Sequence, residues 1–205
     1  LEKADLVLKD ARIVNVFTEE IIRGDIAIQD GIIAGIGSFH GKEERDLAGR
    51  YVCPGFIDSH LHLESTLVTP AELVTAASRH GTTTFIVDPH ESANVSGLAG
   101  IDYILDQTED VKANVYVMMP SCVPATAIDD NGCTLTAEDM APYLHNSRIL
   151  GLGEVMDSIS VVQGEKSMHD KLELFEGRIR DGHAPFLEEG DLQAYAMAGI
   201  ATDHE

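Results

Sequence analysis

His60 and His62 are separated by a single residue and close a short apolar run in the stretch PGFIDSHLHLE, residues 54–64. Residues two apart on a β-strand point to the same face of the sheet, so both imidazoles are expected to reach one place. Two imidazole nitrogens at one place make half of a metal site. The alternative is a pair of core histidines whose nitrogens are satisfied by backbone carbonyl groups, and a His-x-His pair on its own favours that alternative.

Three more ionisable residues follow apolar runs later in the chain, and they shift the balance towards metal binding. Glu154 ends RILGLGE, His183 ends GRIRDGH, and His204 lies in the terminal IATDHE. Ionisable groups at buried strand ends are costly unless a partner compensates them. A bound cation would provide that compensation for all of these residues at once.

Four histidines and one carboxylate exceed the ligands that a single tetrahedral ion needs, so the pattern predicts two divalent ions. His60 and His62, on the first strand, are predicted to bind one ion. His183 and His204 are predicted to bind the other. Glu154 is predicted to bridge the ions, with an ordinary salt-bridged carboxylate as its alternative. Imidazole and carboxylate ligands together favour Mn, Fe, Zn or Ni over Ca and Mg.

Three further residues follow strand ends on the same side and are predicted to contact a substrate: His90 and Glu91 in DPHE, and Ser121 in PSC. A structural hydrogen bond is an equal alternative for His90. Orientation of a metal ligand, or simple surface exposure, are the alternatives for Glu91. We expect the catalytic groups to be Glu154, His204 and His90.

The first 54 residues read as a small β domain. ADLVLKDARIVNV and GDIAIQDGIIAGIG alternate apolar and polar residues, which is typical of strands with one buried face. Asp30-Gly31 stands where a tight hairpin turn is expected. No helical period appears before Cys53-Pro54, so residues 1–54 are predicted to form a sheet domain.

From residue 55 onward, strand-like and helix-like segments alternate. The predicted strands end near residues 62, 89, 119, 154, 183 and 204, a spacing close to the ~31 residues per unit of a (β/α)8 barrel. A doubly wound open sheet is the alternative, but its Gly-rich phosphate turn is missing after the first strand. Because barrel enzymes carry their chemistry at the carboxyl ends of the strands, the barrel is favoured.

Composition narrows the class of protein. The chain has 205 residues, with 14 Lys and Arg against 35 Asp and Glu and a formal net charge of −21, which argues against nucleic acid or an anionic membrane surface as a partner. Three cysteines without CxxC spacing favour a reducing compartment. Since no apolar run approaches the ~20 residues of a membrane span and no signal peptide is visible, we expect a soluble cytoplasmic protein.

The stretch PGFIDSHLHLE at the first barrel strand, with single histidines at the fifth and sixth, resembles the amidohydrolase superfamily. Within it, HGTTTFIVDPHESANVSGL, VYVMMPSCVPAT, GLGEVM, DGHAP and AGIATDHE resemble the adenine deaminases of bacteria and archaea, and the likeness covers nearly all of residues 5–205. This resemblance implies a β-sandwich domain before a TIM-type metal-dependent hydrolase barrel. Residues 55–205 would supply the first six strands of that barrel.

The resemblance also implies an activity, namely hydrolytic deamination of adenine to hypoxanthine and ammonia, with a metal-activated water attacking C6. It implies a binuclear centre, usually of manganese or iron, held by the histidines and Glu154 described above. A homo-oligomer is expected. The alternatives are an amidohydrolase that acts on a cyclic amide, as dihydroorotases and hydantoinases do, and a non-catalytic scaffold of the same fold.

The family pattern further requires an aspartate at the eighth barrel strand. The sequence ends at Glu205, directly after the sixth predicted strand. We therefore expect either a fragment that lacks two βα units or a chain that is represented only in part, and the aspartate that the family's activity requires is expected outside these 205 residues.

Overall fold

A computed structural model describes residues 3–126 and 128–204. The chain divides into two compact units, one up to Gly55 and one from Phe56 onward. Each unit contains its own sheet and its own buried residues.

The first unit is a five-stranded mixed sheet: β1 (Ala4–Asn15), β2 (Glu20–Gln29), β3 (Ile32–Gly37), β4 (Gly41–Asp46) and β5 (Tyr51–Val52). The order is β3-β2-β1-β4, and β5 also pairs with β1. The β2–β3 hairpin turns at Asp30 and Gly31, whose φ angles of 53° and 76° are those of the predicted tight turn. Within residues 3–55 a second facing sheet is not described, so the sandwich is not shown.

Asp25 is the buried carboxylate of this unit. Its Oδ2 accepts hydrogen bonds from Nζ of Lys9 at 2.5 Å and from the backbone N–H of Phe39 at 3.3 Å, and its Oδ1 accepts one from the N–H of Asp10 at 3.1 Å. The Lys9 hydrogen bond outweighs the effect of burial and lowers the pKa of Asp25. The ionised carboxylate therefore ties three segments of the sheet domain together.

The second unit is a sheet of six parallel strands: β6 (Phe56–Leu61), β7 (Thr82–Val87), β8 (Asn114–Pro120), β9 (Ile149–Val155), β10 (Ile179–Gly182) and β11 (Thr202–Asp203). Neighbours in the sheet are also neighbours in the chain, in the order β11-β10-β9-β8-β7-β6. A doubly wound sheet reverses its strand order at a switch point, whereas a barrel does not. The strand order is therefore that of a partial barrel, and the predicted six strands are confirmed.

Helices connect the strands: α1 (Pro70–Ser78), α2 (His90–Ser96), α3 (Leu98–Gln107), α4 (Ala137–Met140), α5 (Ser158–Gln163), α6 (Lys166–Leu174) and α7 (Glu189–Met197). The sequence periodicity did not predict α2 and α5, because six or seven residues are too few to establish a helical period. In the described residues, no helix is both long and apolar enough to cross a bilayer.

The core of this unit lies between the strands and the helices that cover them. Phe85, Val117 and Leu152 on the strands and Ile101 and Phe175 near the helices are each at most 2% exposed. Parallel strands covered by helices read as nearly continuous apolar runs, as in NVYVMMP of β8. The parallel sheet brings the polar strand ends to one edge.

Candidate metal centre

The carboxyl ends of four parallel strands bring the predicted metal ligands together. His60 lies on β6 and His62 directly follows it, Glu154 lies on β9, and the two later histidines follow β10 and β11. Because all these strands run in the same direction, their ends meet at one edge of the sheet. The predicted residues from distant parts of the sequence therefore form one cluster.

Glu154 is the centre of this cluster. Its Oε1 lies 2.5 Å from Nε2 of His60 and 2.7 Å from Nε2 of His62, and these two nitrogens are 3.1 Å apart. Among the described residues, this buried oxygen has no hydrogen-bond donor in acceptable geometry. Three ligand atoms that converge in this way, with an unsatisfied carboxylate oxygen among them, fit a bound divalent cation.

The second pair of histidines lies farther from the same carboxylate. Nδ1 of His183 lies 3.7 Å from Oε2 of Glu154, and Nε2 of His204 lies 3.9 Å from Oε1. The two imidazole nitrogens are 3.4 Å apart. Within each of these two groups, the three ligand atoms lie within 4.8 Å of one another, and Glu154 is common to both, as a bridging ligand would be.

The electrostatics of the pair His62–Glu154 show which charges the site favours. Burial opposes ionisation of Glu154, which is 3% exposed, but the neighbouring His62 and His60 lower its pKa to about 2. The interaction with Glu154 raises the pKa of His62 to about 9 against the effect of its own burial. The site thus keeps Glu154 negative and attracts positive charge to the position between the rings.

A backbone carbonyl orients His62. Nδ1 of this ring lies 2.9 Å from the main-chain oxygen of Asp88, at the end of β7. When Nδ1–H donates to that carbonyl, Nε2 is left as the ligand nitrogen, and it is Nε2 that faces Glu154. The same contact ties β6 to β7 beside the cluster.

The Asp88 side chain is a buried acid that sequence reasoning missed. It is 1% exposed, and neither carboxylate oxygen has a hydrogen-bond partner in the described part of the chain. Burial, with the nearby negative charge of Glu154, raises the pKa of Asp88 well above its usual range. A Cβ atom on Gly153 would lie 2.1 Å from Oδ2 of Asp88, so this acid occupies space that only glycine leaves free. Its position after the apolar run TTTFIV was the available signal.

Asp181 is a second acid that was missed. Its Oδ2 lies 3.5 Å from Nδ1 of His60 and 4.0 Å from Nδ1 of His204, while its Oδ1 accepts a hydrogen bond from Oγ1 of Thr202 at 2.6 Å. The signal was present in the sequence, because Asp181 precedes His183 by two residues just as His60 precedes His62.

The structure treats the three predicted substrate contacts differently. His90 is the first residue of α2, and its ring centroid lies 4.6 Å from that of His62 in an edge-on arrangement. Glu91 is exposed, and its carboxylate accepts a hydrogen bond from Ser65 at 2.5 Å. Consecutive helical residues point about 100° apart, so His90 reaches the cluster while Glu91 does not.

Ser121 lies behind Glu154 and is only 1% exposed. Its hydroxyl donates to the main-chain oxygen of Glu154 at 2.5 Å, and its own carbonyl accepts from Nζ of the buried Lys171 at 2.7 Å. The structure thus places Ser121 where its hydroxyl supports the Glu154 backbone. Sequence reasoning missed Lys171, whose helical position gave no sign of this contact.

Tyr195, on α7, holds the strand ends that carry His183 and Glu154. Its hydroxyl donates to the main-chain oxygen of Val155 at 2.6 Å and accepts from the N–H of His183 at 3.0 Å. The residue is 2% exposed, and burial raises the pKa of its phenol above the usual range. A neutral tyrosine therefore bridges β9 and the segment after β10.

The second unit is a partial parallel barrel whose strand ends gather histidines and a carboxylate. Residues 51–205 match the model of the amidohydrolase family, and the chain belongs to this family. The superfamily resemblance seen in the sequence is thereby confirmed.

Named relatives are similar over the whole chain. It is 61% identical to an adenine deaminase of Desulfitobacterium hafniense over 204 residues, which are 100% of this chain and 36% of that protein. It is 48% identical to adenine deaminase 2 of Carboxydothermus hydrogenoformans over 202 residues, or 98% of this chain and 35% of the relative. The chain thus spans about a third of the length of these relatives.

Solved structures share the fold at low identity. A D-aminoacylase has a TM-score of 0.63 and 17% identity, covering 97% of this chain and 50% of that one. A 5-methylcytosine deaminase from Klebsiella pneumoniae has a TM-score of 0.56 and 16% identity, covering 94% of this chain and 55% of that one.

Proposed function

We propose that this chain belongs to a metal-dependent adenine deaminase, which hydrolyses adenine to hypoxanthine and ammonia. The similarity to proteins named adenine deaminase over the whole described fold carries this proposal. The cluster around Glu154 supports it, because the residues that could hold two divalent ions are present and brought together.

In this proposal the chain supplies five ligands of a binuclear centre: His60, His62, Glu154, His183 and His204. When bound, two divalent ions would lower the pKa of water to near neutrality and provide a nucleophile for C6 of the purine. Manganese or iron is the proposed metal, with zinc as a further possibility for this donor set.

The chain's own residues would then hold the substrate and the ligands in place. His90 lies edge-on to His62, 4.6 Å between ring centroids, at the mouth of the strand ends. Burial lowers the pKa of His90, which favours the neutral form of this ring. A neutral imidazole can donate and accept hydrogen bonds, which suits contact with an uncharged purine edge. Ser121 and Glu91 are proposed to act only through the neighbours that they contact.

The remaining parts of the proposal concern the complete protein. Closure of the barrel to eight strands, a β-sandwich built on the first sheet, the aspartate of the eighth strand, a homo-oligomeric state and a cytoplasmic location all belong to it. The 36% coverage of the relative from Desulfitobacterium leaves room for the missing strands in a longer chain.

Substrate specificity and the bridging role of Glu154 are tested together in the complete manganese-loaded protein. We expect turnover of adenine and none of hydantoin or dihydroorotate, which would be preferred by an enzyme for cyclic amides. Glu154→Gln should abolish adenine turnover and lower the bound metal below two ions per chain. Glu173→Gln, an exposed acid on α6, is the matched control and should leave both unchanged. Full activity of the Glu154→Gln protein would overturn the assignment.

A further inference from the structure

Three imidazoles in the cluster share one arrangement of their two ring nitrogens. The rings of His60, His62 and His204 all turn Nε2 towards Oε1 of Glu154, at 2.5, 2.7 and 3.9 Å. A metal-ligating histidine uses its other nitrogen to contact an oxygen acceptor, which sets the tautomer and the ring orientation. The acceptor for His62 is the main-chain oxygen of Asp88 at 2.9 Å.

The other two rings face a single carboxylate. Oδ2 of Asp181 lies 3.5 Å from Nδ1 of His60 and 4.0 Å from Nδ1 of His204. These two rings are stacked, with centroids 4.0 Å apart and planes inclined by 19°, so their Nδ1 atoms point to the same side. The stack explains how one oxygen can face both rings.

The rest of the Asp181 carboxylate is held in place by its own contacts. Oδ1 accepts the hydroxyl of Thr202 at 2.6 Å and the N–H of Gly182 at 3.1 Å. With Oδ1 engaged in this way, Oδ2 is directed towards the imidazoles. The side chain is 15% exposed, so its charge is only weakly screened by water.

We infer that Asp181 is a positioning residue shared by the two halves of the metal centre, orienting His60 and His204 for ligation through Nε2. The inference rests on the proposed binuclear site and deepens it. His60 lies on β6 and His204 follows β11. A single carboxylate would therefore couple the ligand sets of both ions. His62 depends on a backbone oxygen instead and is independent of Asp181.

The test measures metal binding in the complete protein with Mn²⁺ as the probe, by competition with a chelator and by metal content per chain. Asp181→Asn keeps a hydrogen-bond acceptor but removes the charge, and we expect the apparent affinity to fall by about 10- to 100-fold. Asp181→Ala should weaken it further. Asp106→Asn, an exposed acid of α3, is the matched control and should bind like the wild type.

A second readout separates ligand orientation from general stability. The visible absorption spectrum of the Co²⁺-loaded protein reports the ligand field, and we expect it to change in Asp181→Asn even where the melting temperature does not. Thr202→Val keeps the carboxylate and removes the hydroxyl that directs it, with an expected loss of roughly 3- to 10-fold in affinity. If Asp181→Asn does not fold, the Thr202→Val result decides the matter.

His60→Ala distinguishes failure of the inference from failure of the metal centre. If His60→Ala loses metal while Asp181→Asn and Thr202→Val bind both ions with wild-type affinity and spectrum, the role of Asp181 is wrong and the centre stands. If His60→Ala also binds both ions like the wild type, the proposed centre is itself wrong.

Discussion

Gly153 and Asp88 pack so closely that a Cβ atom on Gly153 would lie 2.1 Å from Oδ2 of Asp88 and 2.7 Å from its Cγ. Gly153 immediately precedes Glu154 on β9, and the main chain of Asp88 contacts His62. The close approach therefore holds the end of β9, which carries Glu154, against the residue after β7 whose main-chain oxygen orients His62.

Gly153→Ala is predicted to push Asp88 away and to disturb the strand end of β9. Overpacking of a buried site destabilises a protein by about 1–3 kcal/mol, and we expect a loss of that size in urea unfolding. Gly190→Ala is the matched control, because a Cβ at this helical position meets no atom within 4 Å in the described residues. It should be neutral or stabilising by up to about 1 kcal/mol. Equal stability of the two variants would contradict the proposed packing.

Ser121→Ala is predicted to leave the main-chain oxygen of Glu154 without its side-chain donor. The loss of one buried hydrogen bond, with an acceptor left unsatisfied, should destabilise the protein by about 1–3 kcal/mol. It should also weaken Mn²⁺ binding, because the backbone that carries the bridging carboxylate is less restrained. Ser78→Ala, at an exposed position at the end of α1, should change neither quantity. A wild-type metal affinity in Ser121→Ala would show that this support is dispensable.

Tyr195→Phe removes a hydroxyl that donates to Val155 and accepts from the N–H of His183. Each buried group left without a partner costs about 1–3 kcal/mol, so a clear drop in melting temperature is expected. The second ion, assigned to His183 and His204, should be lost more readily than the first. Tyr103→Phe provides the control, since Tyr103 is 50% exposed. Loss of both ions to the same extent would argue against a local effect on His183.

Asp25→Asn is predicted to make the free energy of unfolding vary less with pH in the acid range. The lowered pKa of Asp25 means that its contribution is present above the unfolded value of about 3.9 and is lost as the pH falls through the lower folded value. Lys9, whose pKa is raised, contributes below about 10.4, so the pair is intact throughout the neutral range.

Melting temperatures measured from about pH 3 to about pH 8 test this sign. The wild type should be more stable than Asp25→Asn at neutral pH, and the difference should shrink in acid. Asp30→Asn, in the exposed hairpin turn of the same unit, should run parallel to the wild type because asparagine also suits this turn. A difference that grows in acid would contradict the ion pair.

The sequence alone was sufficient for the strand alternation, the strand ends and the five proposed ligands. These features depend on local patterns: apolar runs, a two-residue spacing on one strand, and ionisable residues placed where a buried run stops. These patterns can be recognised without knowing which residues are neighbours in the folded chain. The same locality explains the hairpin at Asp30-Gly31, which follows from the turn residues themselves.

Only the tertiary structure decided which polar groups surround those ligands. The contact of Asp181 with two stacked imidazoles joins residues from β6, β10 and the segment after β11, and the link from Lys171 through Ser121 to Glu154 joins a helix to two strands. The structure also showed that His90 faces His62 whereas Glu91 contacts Ser65, because adjacent residues of a short helix point in different directions. Contacts between distant segments depend on packing distances of a few ångströms, and no local pattern in the chain contains that information.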